Sequence, residues 1–524
     1  MSQMLKSTGA MAAATMTSRV LGMVREMVYA AFMGNTWIAS AFTLAFQVPN
    51  LFRRLLGEGA LTAAFIPIFK QKERHHGEAE MWRTANVVIS GLVVAAGAVT
   101  VLAVIGISIA LAVRGNNFQP ETELMLRLLR FLFPYMLLVC LAAVFIGMAN
   151  ARGHFFVPAL GAVVLNVIMI ASVLLLAPRM GPTKEQQIFG LAIGVVFAGL
   201  AQAFFQLPSL HQEGYRYAWV SPWRDPTVRE VARKMIPGSI GVAAFQINVL
   251  VTQTFSFWFD PTIVSTFNYS VRLMELPQGL FGISLATFLL PTLSGLAADK
   301  KFPEFRATLK QGLSYLSFAN LFAAAIALTL AVPIVRLLFE RGAFGPEATQ
   351  RVALALACLA PGLLLFSMNN ILARAFYALN DIKTPMKISL FCLGVNLLLA
   401  LWLVRPYREA GLAVANTLSA GFNTALLFYT LRKKLTRLDA AGLPQTIFTL
   451  AGAAVLAGAL AYFASRFWDQ KFGHATLLLK IGAVFVPGAL AGLVYWLIAV
   501  GAKIPAARDV SDLILHRIRG KRRN

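Results

Sequence analysis

Arg19, Arg25, Arg53, Arg54 and Arg272 lie inside long apolar runs, where an ionised side chain is costly and marks function by default. Glu26, Glu58 and Glu275 share those runs. The guanidinium group keeps its proton and donates two parallel hydrogen bonds, so it matches phosphate oxygens better than any other side chain. On a helix, Arg19 and Glu26 share a face, with Gly22 between Arg19 and Arg25. Arg54 and Glu58 form an i,i+4 pair. One reading has each arginine pairing with its nearby glutamate or reaching for an interface. The other starts from five arginines against three glutamates. An apolar bundle does not keep that positive excess without an anionic partner. It assigns Arg19, Arg25, Arg53 and Arg272 to a cradle for a diphosphate. Gly22, Gly57, Gly59, Pro277, Glu26, Glu58 and Glu275 then line the cavity or act as hinges, because helix breaks at membrane depth tend to face cavities.

The same residues argue against catalysis. No HExxH, P-loop or nucleophile elbow occurs, and no Asp-x-Asp cluster suits a metal-dependent transferase. The GEG of residues 57–59 is too short for a dinucleotide fingerprint, and His75 and His76 sit in a charged loop. Cys140, Cys358 and Cys392 are odd in number and form no CxxC. No metal, cofactor or catalytic residue is expected.

The elements that must hold the arginines are membrane spans. The 524 residues are 58% hydrophobic and 13% charged, with a mean hydropathy of +0.68. Apolar runs of bilayer-crossing length recur from residue 8 to residue 500, predicting about 14 transmembrane helices in an all-α polytopic fold. Span 1 covers 8–33, span 2 covers 37–66 and span 8 covers 263–295; spans 13 and 14 cover 444–466 and 475–500. Span 1 continues past Arg19 and Arg25, so it reads as a retained helix rather than a cleaved leader. The net charge of +24 is spread over short loops, which argues against nucleic-acid binding. With the N-terminus inside, about 20 basic residues fall in cytoplasmic loops against about 13 outside, so both termini are expected in the cytoplasm.

An internal repeat organises these spans. Residues 128–160 parallel 354–388, and Pro134 stands to Pro361 as Pro158 stands to Pro385, at one common offset. Residues 46–69 parallel 274–294, pairing Pro49 with Pro277 and Pro67 with Pro291. The expected organisation is two six-helix lobes in a parallel repeat, 1–225 and 226–440, then spans 13 and 14 within 441–500, then a basic tail at 501–524.

The runs SRVLGMVRE (18–26), AFQVPNLFRRLLGEGALTAAFIPIF (45–69), NYSVRLMELPQGLFGISLATFLLPTLS (268–294) and FYALNDIKTPMK (376–387) resemble the MurJ/MviN family of the multidrug/oligosaccharidyl-lipid/polysaccharide exporter superfamily. The resemblance covers nearly the whole chain. It implies a bacterial inner-membrane transporter that flips lipid II, the undecaprenyl-diphosphate-linked peptidoglycan precursor, by alternating access. It also implies that Arg19, Arg25, Arg53 and Arg272 face the cavity and that spans 13 and 14 form a groove for the lipid tail. The chain departs from the family pattern at Ser40 and Val271, where members carry Asp. Expected partners are lipid II, membrane lipids and a counter-ion, with the chain acting as a monomer. An exporter of another lipid-linked oligosaccharide is the alternative that charge alone leaves open.

Overall fold

The computed structural model describes residues 2–57, 60–114, 117–223, 225–435, 442–509 and 511–512. Every regular element among them is a helix. In lipid each backbone amide and carbonyl needs a partner within the protein, and a helix supplies it locally. Eight of these helices are long and apolar enough to cross a bilayer, or ten if each of two bent pairs forms one span. Lys383–Lys434, at 52 residues, is about twice the length one crossing needs, and its backbone breaks at Arg408 (φ 49°). It therefore holds two spans. Ser2–Met33, Trp37–Phe52 and Pro226–Phe259 are the remaining long helices. Their apolar faces are interrupted by charge: Arg19, Arg25 and Glu26 in the first, Arg53 and Arg54 just after the second, and Arg229, Glu230, Arg233 and Lys234 in the third. The set is consistent with the expected number of about 14.

By contact the chain forms two compact units, residues 1–265 with 341–344, and 266–340 with 345–524. Helix Pro226–Phe259, placed in the second repeat lobe by sequence, thus groups with the first unit. In that unit we number α1 (Ser2–Met33), α2 (Trp37–Phe52), α3 (Ala60–Arg114), α4 (Pro120–Leu132), α5 (Tyr135–Ala151), α6 (Phe156–Ala171), α7 (Lys184–Phe204), α8 (Leu207–Gln212) and α9 (Pro226–Phe259). Helix α1 packs on α6, α2 on α4, and α3 on α5 and α9. One core gathers Tyr29, Phe42, Leu128, Tyr135 and Leu191. A second gathers Phe65, Phe69, Trp82, Phe145 and Tyr215.

The second unit holds α10 (Thr262–Pro277), α11 (Ser284–Ala298), α12 (Phe302–Thr329), α13 (Ala331–Leu338), α14 (Pro346–Leu359), α15 (Gly362–Ala378), α16 (Lys383–Lys434), α17 (Leu443–Lys471) and α18 (Leu477–Gly501); the first residues of α10, up to Ser265, group with the first unit. Helices α17 and α18 meet through Ala453, Ala457, Ala461, Ala491 and Ala499. Small side chains let membrane helices approach closely, and this packing replaces the hydrophobic drive that lipid does not supply. The Arg408 break in α16 is followed by Glu409, which is buried and accepts both arms of Arg351 at 2.8 and 2.7 Å.

The repeat is visible in the bends. Helices α4 and α5 meet at 42°, and α14 and α15 at 44°, each at the proline paired by sequence, Pro134 or Pro361. The second matched pair also agrees. Widened π turns occupy Arg53–Gly57 and Gln278–Ile283, each between its paired prolines. A π turn accommodates one extra residue and recurs at functional sites.

Candidate functional site

Arg25 projects from the last third of α1 toward α6 and is mostly buried, its side chain 16% exposed. Its Nη1 donates to Asn166 Oδ1 at 3.1 Å and approaches Met169 Sδ at 3.7 Å. Its Nη2 donates to the Glu26 carboxylate. The guanidinium carbon lies 5.8 Å from the Tyr29 ring centroid. Its Nε–H is buried and has no acceptor among the described residues. Asn166 is itself pinned, its Nδ2 donating to the carbonyls of Ala162 at 3.0 Å and Ser18 at 3.3 Å. Gly22 faces this amide. The pairing of an arginine with its neighbouring glutamate therefore holds for Arg25, yet it leaves one donor unspent.

Arg19, two turns earlier, is exposed and makes no hydrogen bond or ion pair among the described residues. Arg53 opens the π turn after α2, half-buried, with its Nε donating to Asn50 Oδ1 at 2.6 Å. Gly57 closes that turn; Glu58 and Gly59 lie outside the described residues. In the second unit, Arg272 Nη1 donates to Glu275 Oε2 at 2.8 Å, one helical turn along α10, with both side chains exposed. Pro277 ends α10 and leads into the π turn Gln278–Ile283. The structure thus brings together Arg25, Glu26, Gly22 and Asn166, and pairs Arg272 with Glu275.

Several participants escaped the sequence reading. Asn166 lies 141 residues from Arg25, and only its polarity within an apolar span marked it. Arg374, on α15, donates to Thr287 Oγ1 of α11 at 3.2 Å and is a further guanidinium within a span. At Ser40 the hydroxyl is fully buried and accepts the Ser265 amide at 3.0 Å, while Ser265 Oγ donates to Asn35 Oδ1 at 2.6 Å.

Charged clusters also lie in the loops. Arg152 bridges Glu73, Glu78 and Glu213, and His154 meets Glu213 at 2.7 Å. The His154 and Arg152 hydrogen bonds hold the Glu213 carboxyl below its ordinary range. Asp381 accepts from Lys434 at 2.6 Å and from the Thr384 amide at 3.0 Å. These bonds, the Lys434 one foremost, bring its carboxyl down to about 2. No group of three or more His, Cys, Asp or Glu side chains arranged for a metal occurs among the described residues.

A wholly apolar cavity of about 250 Å³ opens where α17 begins. Leu313, Met368, Leu372, Phe428, Ile447 and Phe448 contribute to its wall, so α12, α15, α16 and α17 all face it.

Comparison with known proteins bears on what such a set of helices does. Residues 29–482 match the family model described as lipid II flippase MurJ. A probable lipid II flippase MurJ of Vibrio cholerae is 34% identical over 81% of this chain and 82% of its own length. One from Bdellovibrio bacteriovorus is 33% identical over 94% of each chain. A lipid II flippase MurJ of Burkholderia cenocepacia is 34% identical over 86% of this chain and 89% of its own. Among solved structures, lipid II flippase MurJ in an inward closed conformation superposes with a TM-score of 0.76 at 20% identity, covering 94% of this chain and 98% of that one. An inward-facing multidrug transporter of the MATE family gives 0.66 at 12% identity, over 82% of this chain and 98% of that one. A family match over most of the length, on an all-helical multi-pass fold with arginines inside its spans, leads to one assignment: the chain belongs to the lipid II flippase MurJ family.

Proposed function

We propose that this protein flips lipid II from the cytoplasmic to the periplasmic leaflet of the bacterial inner membrane, as a monomer with both termini in the cytoplasm. It acts by alternating access between lobes 1–225 and 226–440. The observation that carries the reading, beside family membership, is Arg25: a buried guanidinium fixed by Asn166 and Glu26, with its Nε–H still lacking an acceptor. A phosphate oxygen is the acceptor that such a donor suits. Exposed Arg19 supplies a second cation from the same helix, and Arg53 and Arg272 supply two more across the cycle. The side chains replace water around the diphosphate, so the charged group crosses without a bare desolvation step.

The long isoprenoid tail needs an apolar path, for which α17 and α18 lie outside the repeat. The apolar cavity at the start of α17 supports a part for that helix in a tail groove. The driving force needs no nucleotide site, enzyme chemistry or cofactor. About two negative charges leaving a negative cytoplasm gain about 4.6 kcal/mol at roughly 100 mV, since each charge is worth about 2.3 kcal/mol. A counter-ion assists the return of the empty, positive carrier.

Depletion in cells, followed by identification of the lipid-linked precursor that accumulates, tests the reading. Accumulated lipid II supports it. Accumulation of a different lipid-linked oligosaccharide, with lipid II unchanged, would replace it with the alternative exporter.

A further inference from the structure

Two polar side chains in the core of the second unit stand out by what they do not bond. Ser317, on α12, is fully buried and spends its hydroxyl on the Leu313 carbonyl at 2.7 Å, the usual way a helix absorbs such a group. Asn320, almost one turn further along α12, and Ser367, on α15, are equally buried at 0% exposure. Neither follows that pattern. Asn320 Oδ1, Asn320 Nδ2 and Ser367 Oγ have no hydrogen-bond partner among the described residues. A buried donor or acceptor left unmade is costly, so these atoms call for a partner that is not a side chain.

Helices α12 and α15 belong to consecutive spans and run antiparallel. Leu309, Leu313 and Leu316 of α12 share a core with Ile371, Leu372 and Ala375 of α15. Asn320 stands four residues after Leu316, and Ser367 four before Ile371. Each therefore continues its own helix's packed row, toward the same end of the pair. Both helices also pack on the π turn Gln278–Ile283. Ser367 lies directly on that turn: a Cβ on Gly282 would stand 2.5 Å from Ser367 Oγ. The missing side chain of Gly282 makes the room that the hydroxyl occupies.

A π turn interrupts regular helical bonding, and in membrane helices such breaks are satisfied by neighbouring side chains or ordered water. One carbonyl of this turn, that of Gly279, already accepts Ser284 Oγ at 3.3 Å. We propose that Asn320, Ser367 and the backbone of Gln278–Ile283 form a buried hydration site that holds ordered water. The unspent atoms select the ligand. The Asn320 amide presents a donor and an acceptor, and the Ser367 hydroxyl serves as either. A metal ion meets only acceptors and an anion only donors, whereas water both donates and accepts, and a buried water takes roughly two to four such partners. Bonds to water exchange readily, so they follow the turn when its register changes; a direct side-chain bond holds one register. The site lies within the second unit alone, and it goes beyond the flippase reading.

Thermal unfolding of the purified full-length protein in detergent tests the site by sign. Ser367→Ala and Asn320→Leu each remove the polar atoms with little change of shape. With water on those atoms, each substitution lowers the unfolding midpoint. The double substitution then lowers it by less than the sum, because the first already releases the shared water. A raised midpoint in either variant would show atoms buried without a partner, and additive losses would show two unrelated groups; both overturn the shared site. Radiolytic hydroxyl labelling of the unaltered protein gives a second readout that needs no variant. Leu316 and Ile371 are at most 1% exposed, yet radicals formed from the bound water should label them many times faster than Leu450, which is as buried in the apolar core of α17. Labelling no faster than at Leu450 would overturn the site.

Discussion

Arg25 is fixed by partners on two helices, and each partner suggests a distinct outcome. Arg25→Ala removes charge and fork together, and translocation of lipid II in cells at matched expression should be lost. Arg25→Lys restores charge without the two parallel donors and should rescue only part. Asn166→Leu leaves the arginine in place but frees its head. Loss of a hydrogen bond to a charged group costs about 1.5–3 kcal/mol, so transport should fall roughly tenfold or more while Lys at position 25 gains nothing further from it. Equal transport in Asn166→Leu and the parent would show that Asn166 does not position the guanidinium. Asp381 makes a different prediction, about stability. Its carboxyl is depressed to about 2, so its contribution is present above the ordinary carboxylate range and is lost only as pH falls through that depressed value. Asp381→Asn should therefore lower thermal stability by the same amount throughout about pH 5 to 8; a loss that varied across that window would contradict the pairing with Lys434. The Arg272–Glu275 pair was legible because residues three apart on a helix are neighbours; Arg25 meets the adjacent Glu26 instead, a pairing that helical spacing does not dictate. Asn166 and Arg374 were not legible, because their partners lie on other helices and no local rule connects them.

At the scale of the elements, the two bends and the π turns Arg53–Gly57 and Gln278–Ile283 mark equivalent places in the repeat, while a further π turn, Ser172–Leu176, lies outside the matched pairs. The paired prolines Pro134 and Pro361 stand at the bends, since a ring in place of an amide removes one backbone bond and clashes with the preceding turn; in the sequence they align the repeat and do not by themselves announce the bends. The π turns left no trace in composition, because a single extra residue changes register without changing character. The span count met a related difficulty. Spans 1 and 2, which carry Arg19, Arg25 and Arg53, are among those whose charges lower their apolarity, whereas the helix of Arg272 is apolar enough to read as a membrane span. The π turn Gln278–Ile283 offers a direct test. Leu280 within it is exposed, so deleting it removes one residue without emptying a core and allows regular α-helical bonding. The deletion should insert and accumulate normally yet lose translocation, measured as the fraction of lipid II reaching the outer leaflet. Normal translocation would show the widened turn to be dispensable.

At the scale of the whole molecule, the account joins a cationic region, an apolar tail path and a membrane potential. The all-helical polytopic fold was readable from apolar length alone. By sequence the second lobe begins at residue 226, whereas helix Pro226–Phe259 groups by contact with the first unit, since contacts form in space and repeats are written along the chain. Removing residues 444–500 takes away nearly all of α17 and α18 together with Pro444, Ile447 and Phe448 of the apolar cavity wall; such a chain should insert but fail to support growth. Collapsing the membrane potential while keeping the pH gradient should likewise stop export, and continued export would point to proton coupling instead. The central claim is that arginines within the spans carry the diphosphate of lipid II across. Its most direct measurement is the amount of lipid II exposed at the outer leaflet of cells whose only copy of the protein carries Arg25→Ala, at expression matched to the parent. The account predicts that exposed lipid II falls to the level of depleted cells while total lipid II rises. Exposure equal to that of the parent would contradict it.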